Sequence, residues 1–367
     1  MQQTLFPEPG SGPTPSPAGA GSGTPAPDAS GAGGRDAKAA RARDAADARV
    51  EAAATDPALA GLAAALPSSL RLGTASWNFP GWTGLVWARD YPESALSRRG
   101  LPAYARHPLF RTVSLDRGFY RPLTAEQFAG YAAQVPDGFR FMVKAPSLVT
   151  DALVRDGTGR GSRLNDSFLD ADCALREFVA PALQGLGDRL GVLVFQISPL
   201  PSGRLARIGE QIDRLHALLR ALPDLRSAAP DAAVAVEVRD PEWLVPAFTQ
   251  ALRDAGATFC MALHAKMPRI DGQLPVLRAL WPGPLVCRWN LNPLHGAFGY
   301  EDARRAYEPY DRIIDADPQT RAVLARVIAG TVRGGQPAYV SLSNKAEGSA
   351  PLSVIALAQA VRELISR

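Results

Sequence analysis

The rarest basic residue in this chain points first to chemistry. Forty residues are Lys or Arg, yet only Lys38, Lys144, Lys266 and Lys345 are lysines. Arginine serves wherever a generic positive charge suffices. A lysine kept at a special position is therefore a candidate for the compact, titratable ammonium that a guanidinium cannot imitate. Lys144 closes the apolar run Phe141-Met-Val, and Lys345 follows Ala338-Tyr-Val-Ser-Leu-Ser-Asn344, so both fall where a buried strand would end. Lys266 stands one loop step beyond another such end, while Lys38 lies among Gly and Ala and reads as chance retention. Glu237 and Arg239 are two residues apart, hence on one face of a strand. The guanidinium would keep the carboxylate ionised and suited to act as a base, and a purely structural ion pair fits the spacing equally well. Asp116 supplies a second carboxylate, as acid or metal ligand, and Arg239 with Arg288 could clamp an anion.

Such side chains need a scaffold that gathers strand ends. From Arg71 onward, short runs rich in Val, Leu, Phe and Thr alternate with stretches of helical period. Strands are expected at 71–76, 112–116, 140–144, 191–196, 233–238, 258–263, 285–289 and 338–343. Helices are expected behind the capping box Thr124-Ala-Glu-Gln127, over 204–222, over 318–332, and through Val354, Leu357, Val361 and Leu364 at the C-terminus. Eight strand–helix units in roughly 300 residues indicate an α/β fold, a (β/α)8 TIM-barrel-like single domain. An open doubly wound sheet would carry a glycine-rich turn after its first strand, where this chain has Ser76-Trp77-Asn78-Phe79. In the barrel the active site lies at the C-terminal mouth, where Ser76, Trp77, Asp116, Lys144, Gln196, Glu237, Arg239, His264, Arg288, Asn290, Asn344 and Lys345 would converge.

Composition sets outer bounds. The chain is 46% hydrophobic and 21% charged, which supports a core, but Gly and Pro are unevenly spread. Between Pro7 and Ala40 there is no Val, Ile, Leu or aromatic residue. Such a stretch cannot offset the entropy of ordering itself, so residues 1–69 are expected to be a disordered tail and 70–367 the barrel. An Ala-rich charged stretch at 35–54 lacks an apolar stripe, so nothing is expected to hold it to the body. The first 69 residues hold 5 basic and 7 acidic side chains, which turns the formal charge of +4 into +6 on the body. That permits an anionic ligand. No apolar run approaches the ~20 residues of a membrane span, and Met1-Gln2-Gln3-Thr4 does not begin a signal peptide. Cys173, Cys260 and Cys287 are odd in number and far apart, so no disulfide framework or zinc ribbon is expected, and the cytoplasm is the expected compartment.

Further patterns refine the mouth. The segment Asn344-Lys345-Ala-Glu-Gly348-Ser349-Ala-Pro351 enters the last helix with small residues and an early Pro, an arrangement that could cradle a phosphate, and an ordinary helix cap would look similar. Trp77 and Tyr120 could stack on bases or sugar rings, whereas Trp82 and Trp87 read as packing. The four histidines form no metal-binding spacing and no cofactor motif is evident. A divalent cation held by Asp116 and Glu237 remains open by residue type.

Six ordered motifs, Leu72-Gly-Thr-Ala-Ser-Trp77, Phe119-Tyr-Arg121-Pro, Phe141-Met-Val-Lys144-Ala-Pro146, Val194-Phe-Gln196, Val236-Glu-Val-Arg239 and Ser343-Asn344-Lys345 with Ser349-Ala-Pro351, resemble the YecE-like family, a group of unknown function. The resemblance implies a TIM-barrel-like fold from about Leu70 to the C-terminus and a pocket at its mouth. Against the family pattern, Ser114, Asp116 and Gly118 replace a Glu-x-Asn-x-Thr stretch. Histidines are replaced near Asp151 and Asn290. At the N-terminus, Gln2-Gln-Thr-Leu5-Phe6 resembles the bacterial sliding-clamp-binding motif, with Leu5 and Phe6 filling a cleft and Gln2 bonding at its edge. The leading expectation is a barrel that binds or processes a phosphate-bearing small molecule or nucleic acid. Lys144 and Lys345 would act as electrostatic or proton-transfer groups, Glu237 as base, Asp116 as alternative acid, and Gln196, Arg239, Arg288, Asn344 and Ser349 as ligand contacts. Two alternatives stand beside it: a hydrolase or isomerase with a Glu237/Asp116 acid–base pair, and a non-catalytic adaptor recruited to the replication clamp.

Overall fold

A computed structural model of the chain describes residues 49–156 and 161–366. Among the described residues there are ten strands: β1 (Leu70–Thr74), β2 (Phe110–Leu115), β3 (Arg140–Lys144), β4 (Leu153–Arg155), β5 (Gly161–Leu164), β6 (Leu190–Gln196), β7 (Ala233–Glu237), β8 (Thr258–Leu263), β9 (Leu285–Trp289) and β10 (Ala338–Leu342). Eight of them close a barrel in the order β1-β10-β9-β8-β7-β6-β3-β2, all parallel. These are the eight expected strands. The pair β4–β5 is an antiparallel hairpin in the connection after β3. Its residues are half-buried to exposed, so no buried apolar run marks it in the sequence.

The interior and the outer layer form separate cores. Met142, Val192, Val194, Ala235, Cys260, Val286 and Tyr339 pack together inside the barrel. A much larger cluster fills the space between the strands and the helices around them. Tyr339 plugs the N-terminal end. Its hydroxyl donates to the Asp231 carbonyl at 3.1 Å, and the Asp231 carboxylate receives Arg71 at 2.9 Å and Arg140 at 2.9 Å. Gly191 makes room for the plug, since a Cβ there would lie 2.7 Å from a Tyr339 ring carbon.

The helices start where the sequence signals them. Thr124 and Gln127 form the reciprocal capping box before helix Ala125–Ala132, and helices Pro318–Arg333 and Ala350–Ile365 bury one face each. The stretch read as one helix over 204–222 is two, Ser202–Leu205 and Ile208–Ala221.

The boundary expected at Leu70 moves. Residues 49–69 belong to the body: Ala53 N–H donates to Val86 C=O at 2.9 Å and Ala88 N–H to Glu51 C=O at 3.0 Å. Val50 and Leu62 are buried, and the Arg111 guanidinium donates to the carbonyls of Ala63 and Pro67 at 2.8 Å each. Backbone pairing and two apolar anchors hold a segment whose Ala-rich composition resembles a tether. Gln2, Leu5, Phe6 and Lys38 lie outside the described residues. Among the described residues, no helix is long and apolar enough to cross a membrane.

Candidate functional site

Strand periodicity builds the mouth directly on the inner core. Side chains two apart share a face, and on four strands the last interior apolar residue is followed one step up by a polar one. Met142 leads to Lys144, Val194 to Gln196, Ala235 to Glu237 and Arg239, Val286 to Arg288 and Asn290. On β2 the same step leads from Ser114, whose hydroxyl donates to the Ser341 hydroxyl at 3.1 Å, to Asp116. The interior thus changes from apolar to charged toward the C-terminal ends, where barrel sites form.

Arg288 is the centre of the charged layer. Its Nη2 meets Asp116 Oδ2 at 2.7 Å and its Nη1 meets Glu237 Oε2 at 2.9 Å, with a further bond from Nη1 to Gln196 Oε1 at 3.3 Å. Arg239 Nη2 lies 2.5 Å from Glu237 Oε1, and the same guanidinium donates to Gln196 Oε1 and to the Tyr300 hydroxyl at 3.3 and 3.2 Å. Glu237 is 0% exposed. Burial pushes its carboxyl up, but Arg239, Arg288 and Lys144 outweigh this and hold it below the ordinary range. Both its oxygens face guanidinium groups. Arg239 and Arg288 are both raised; burial opposes this, and Glu237, with Asp116 on Arg288, overrides it.

Lys144 is built differently. It is 6% exposed, its Nζ stands 3.5 Å from the centre of the Phe119 ring, and no carboxylate hydrogen-bonds it. Burial lowers its ammonium to about 8, with Asp116 and Glu237 pulling up and Arg288 and Arg239 pushing down. Asp116 Oδ1 is buried and makes no hydrogen bond. His264 completes the wall beside Tyr300, ring centres 5.4 Å apart. Burial, then Arg239, lowers it to about 3, and its Nδ1 accepts from Lys266 N–H at 3.1 Å.

The other expected site residues lie elsewhere. Lys345 is buried and lowered to about 8, by desolvation and then by Arg304, with Glu308 and Glu301 opposing; these neighbours sit around helix Tyr300–Tyr307. None of the charged side chains around Lys144 acts on it. Asn344 Oδ1 accepts from Trp82 Nε1 at 3.2 Å and from Ala350 N–H at 2.8 Å. The start of the last helix is therefore capped from within, and Ser349 beside it is 0% exposed. The first N–H of the expected anion cradle is taken by the protein's own amide. Trp77 is buried against Tyr131 and under Arg117, so it packs, as do Trp82 and Trp87. Tyr120 is exposed on the rim, its ring edge-on to Phe119. Sequence reasoning missed Tyr300 as part of the mouth and named Phe119 only within the Phe119-Tyr120-Arg121 turn. Phe119 is marked by its place three residues past Asp116, whereas Tyr300 sits in a helix with no pattern to mark it. Among the described residues, no three His, Cys, Asp or Glu side chains gather as a metal site, and Asp116 and Glu237 both turn an oxygen to Arg288.

Residues 71–366 match the family model described as Protein of unknown function DUF72. The chain belongs to the DUF72 family. It is similar in fold to a DUF72 family protein from Enterococcus faecalis V583, with 16% identity, 80% of this chain and 95% of that chain covered, and a TM-score of 0.53. A DUF72 family protein from Thermotoga maritima MSB8 aligns at 20% identity over 81% and 99% of the two chains, with a TM-score of 0.47. No curated protein sequence matches the chain.

Beside Asp116, the other four departures noted in this DUF72 chain each have a structural setting. Ser114 bonds across to Ser341, and Asn290 Nδ2 reaches Glu237 Oε1 at 3.5 Å. Asp151 is 1% exposed, takes Arg155 Nε at 2.6 Å and caps Leu153 N–H at 3.0 Å, which starts the β4–β5 hairpin. Gly118 faces Leu123 at ordinary contact distance.

Proposed function

We propose that this DUF72 barrel binds the phosphate or carboxylate group of a small ligand on the Lys144, Arg239 and Arg288 face of its mouth, with Lys144 as the proton-transfer group. The observation that carries this reading is Lys144 itself, a buried amine lowered to about 8 with no carboxylate bonded to it. A group that titrates near neutrality is placed to exchange protons at working pH. Three cationic side chains against two carboxylates leave the layer short of negative charge, which favours an anion. Lys144, Arg239 and Arg288 are only 6%, 6% and 4% exposed. Such an opening admits the tip of a ligand and disfavours a nucleic-acid strand lying across the mouth.

Glu237 fits the role of counter-ion rather than base. A base must accept a proton readily, and this carboxylate is held ionised by two guanidinium groups with no surface of its own. The acid–base pair of Glu237 and Asp116 is disfavoured on the same ground, because Glu237, with both oxygens held by guanidinium groups, cannot serve as its base.

Titration calorimetry with inorganic phosphate in low-salt buffer tests the reading. Lys144→Met is expected to weaken binding roughly 10- to 100-fold, the range of one charged hydrogen bond, while Lys266→Met leaves it unchanged. Equal affinity of the wild type and Lys144→Met refutes it.

A further inference from the structure

We infer that Lys144 is an imine-forming amine, and that the ligand of this mouth is an aldehyde or ketone that also carries a phosphate or carboxylate group. The inference rests on the anion reading above and adds the reacting group of the ligand.

The two kinds of cation in the mouth are arranged for different work. Arg239 and Arg288 are locked onto Glu237 and Asp116 and remain charged, so an anionic group already has fixed positive partners. A third fixed charge would be better served by another arginine, which this chain uses almost everywhere else. Lys144 instead has no hydrogen-bonded partner, is nearly closed off from water, and has one side of its nitrogen covered by the Phe119 ring at 3.5 Å. The fall from 10.5 to about 8 leaves about 300 times as much free amine near neutrality as an ordinary lysine has. A desolvated amine beside other cations is the form in which lysine acts as a nucleophile.

Asp116 supplies the proton path. Its Oδ2 is tied to Arg288 at 2.7 Å, while Oδ1 is buried without a hydrogen bond, and its charge is the strongest attraction that Lys144 feels. In the proposed step the ammonium proton passes to Oδ1 by way of one water, because no hydrogen bond joins the two groups directly. The Nζ lone pair then forms a bond to the carbonyl carbon, the C=O π pair moves to oxygen, and a second proton passes from the nitrogen to that oxygen. The C–O bond breaks as the carboxyl group returns its proton to the leaving hydroxyl, and water departs as the nitrogen lone pair closes the C=N bond. One ammonium and one carbonyl give one protonated imine and one water, the carboxylate is regenerated, and no oxidant or reductant is needed.

The scarcity of lysine makes the test sharp. The full chain is incubated with glyoxylate, and in parallel with glycolaldehyde phosphate, at about pH 7.5 in the presence of cyanoborohydride, which reduces an imine to a stable secondary amine; each of the four lysines is then quantified by peptide mass spectrometry. Lys345 is the internal control, being equally buried and equally lowered but outside the mouth cluster. The adduct is expected on Lys144 at more than roughly tenfold the level on Lys345, suppressed by excess phosphate, and slowed about 100-fold in Asp116→Asn. Labelling of Lys144 no greater than that of Lys266 and Lys345 overturns the inference. If phosphate still binds and Lys144→Met still weakens it while no adduct forms at Lys144, imine formation falls and the anion site stands. An adduct at Lys144 that phosphate does not suppress overturns the proposed ligand class together with the anion reading.

Discussion

Replacing Arg288 by Met should destabilise this barrel by an amount that depends on pH in a defined direction. In the wild type one guanidinium answers two carboxylates, Asp116 Oδ2 at 2.7 Å and Glu237 Oε2 at 2.9 Å, and Arg288 is 4% exposed. Methionine fills much of the stem but leaves Asp116 unpaired and Glu237 with Arg239 alone. Removing one partner from a buried ion pair costs about 3–5 kcal/mol. Because Arg239 stays 2.5 Å from Glu237 Oε1, the lower end applies, and a loss of ~3 kcal/mol lowers Tm by roughly 4–5 °C for a domain of about 300 residues. Glu237 supplies the pH signature. Burial raises its carboxyl, and Arg239, Arg288 and Lys144 bring it below 4.5 in the folded protein. The stability this contributes is present above the unfolded value and lost as pH falls through the folded one. Without Arg288 the folded value rises, so the variant has less to lose on acidification. Urea denaturation of both proteins from pH 7 down to about pH 4 should show a gap that is widest at neutrality and narrows in acid. A gap below about 1 kcal/mol at pH 7, or one that widens in acid, would falsify the assignment of Arg288 as the keystone of the layer.

Two more perturbations follow from the same geometry. Lys144→Met should stabilise the protein at pH 7 by ~3 kcal/mol. Burial lowers the folded amine to about 8 against an ordinary 10.5, so stability withheld at neutrality returns as pH rises between those values and is lost again as pH falls through about 8. Chemical denaturation across that window should show wild-type stability climbing while the variant stays level, and parallel curves would contradict it. Asn344→Ala should cost about 1–3 kcal/mol, since it strands Trp82 Nε1 and the first N–H of the last helix. Thermal unfolding reads this loss, and an unchanged Tm would show that the cap is dispensable.

Much of the scaffold was legible because buried strands announce their own ends. An apolar run such as Leu190–Phe195 stops at Gln196, and the period of two then puts the stopping residue on the inner face above the core. What stayed hidden was pairing at long range. Arg288 meets Glu237 across 51 positions and Asp116 across 172, and no local pattern encodes either contact. Without them Glu237 resembles a base, and with them it is a counter-ion. The β4–β5 hairpin lacks buried alternation, and residues 49–69 dock through backbone bonds that any sequence can make. Asn344 illustrates a third limit. Its place after β10 reads as ligand-facing, yet the turn through Gly348 at φ 118° brings Ala350 N–H back onto its side chain.

The division of work between arginine and lysine connects these observations. A guanidinium remains charged in a dry interior and can bond two carboxylates at once, so Arg288 and Arg239 can be buried only with Glu237 and Asp116 beside them. Once that lattice exists, its arginines push down the amine of Lys144 while its carboxylates pull up. Burial decides the balance, and the amine settles near neutrality. An arginine at position 144 could not respond in this way, because its charge would persist. The lysine is therefore the one cation of the layer whose charge the barrel can turn on and off, and the ion pairs around it are what make that control available.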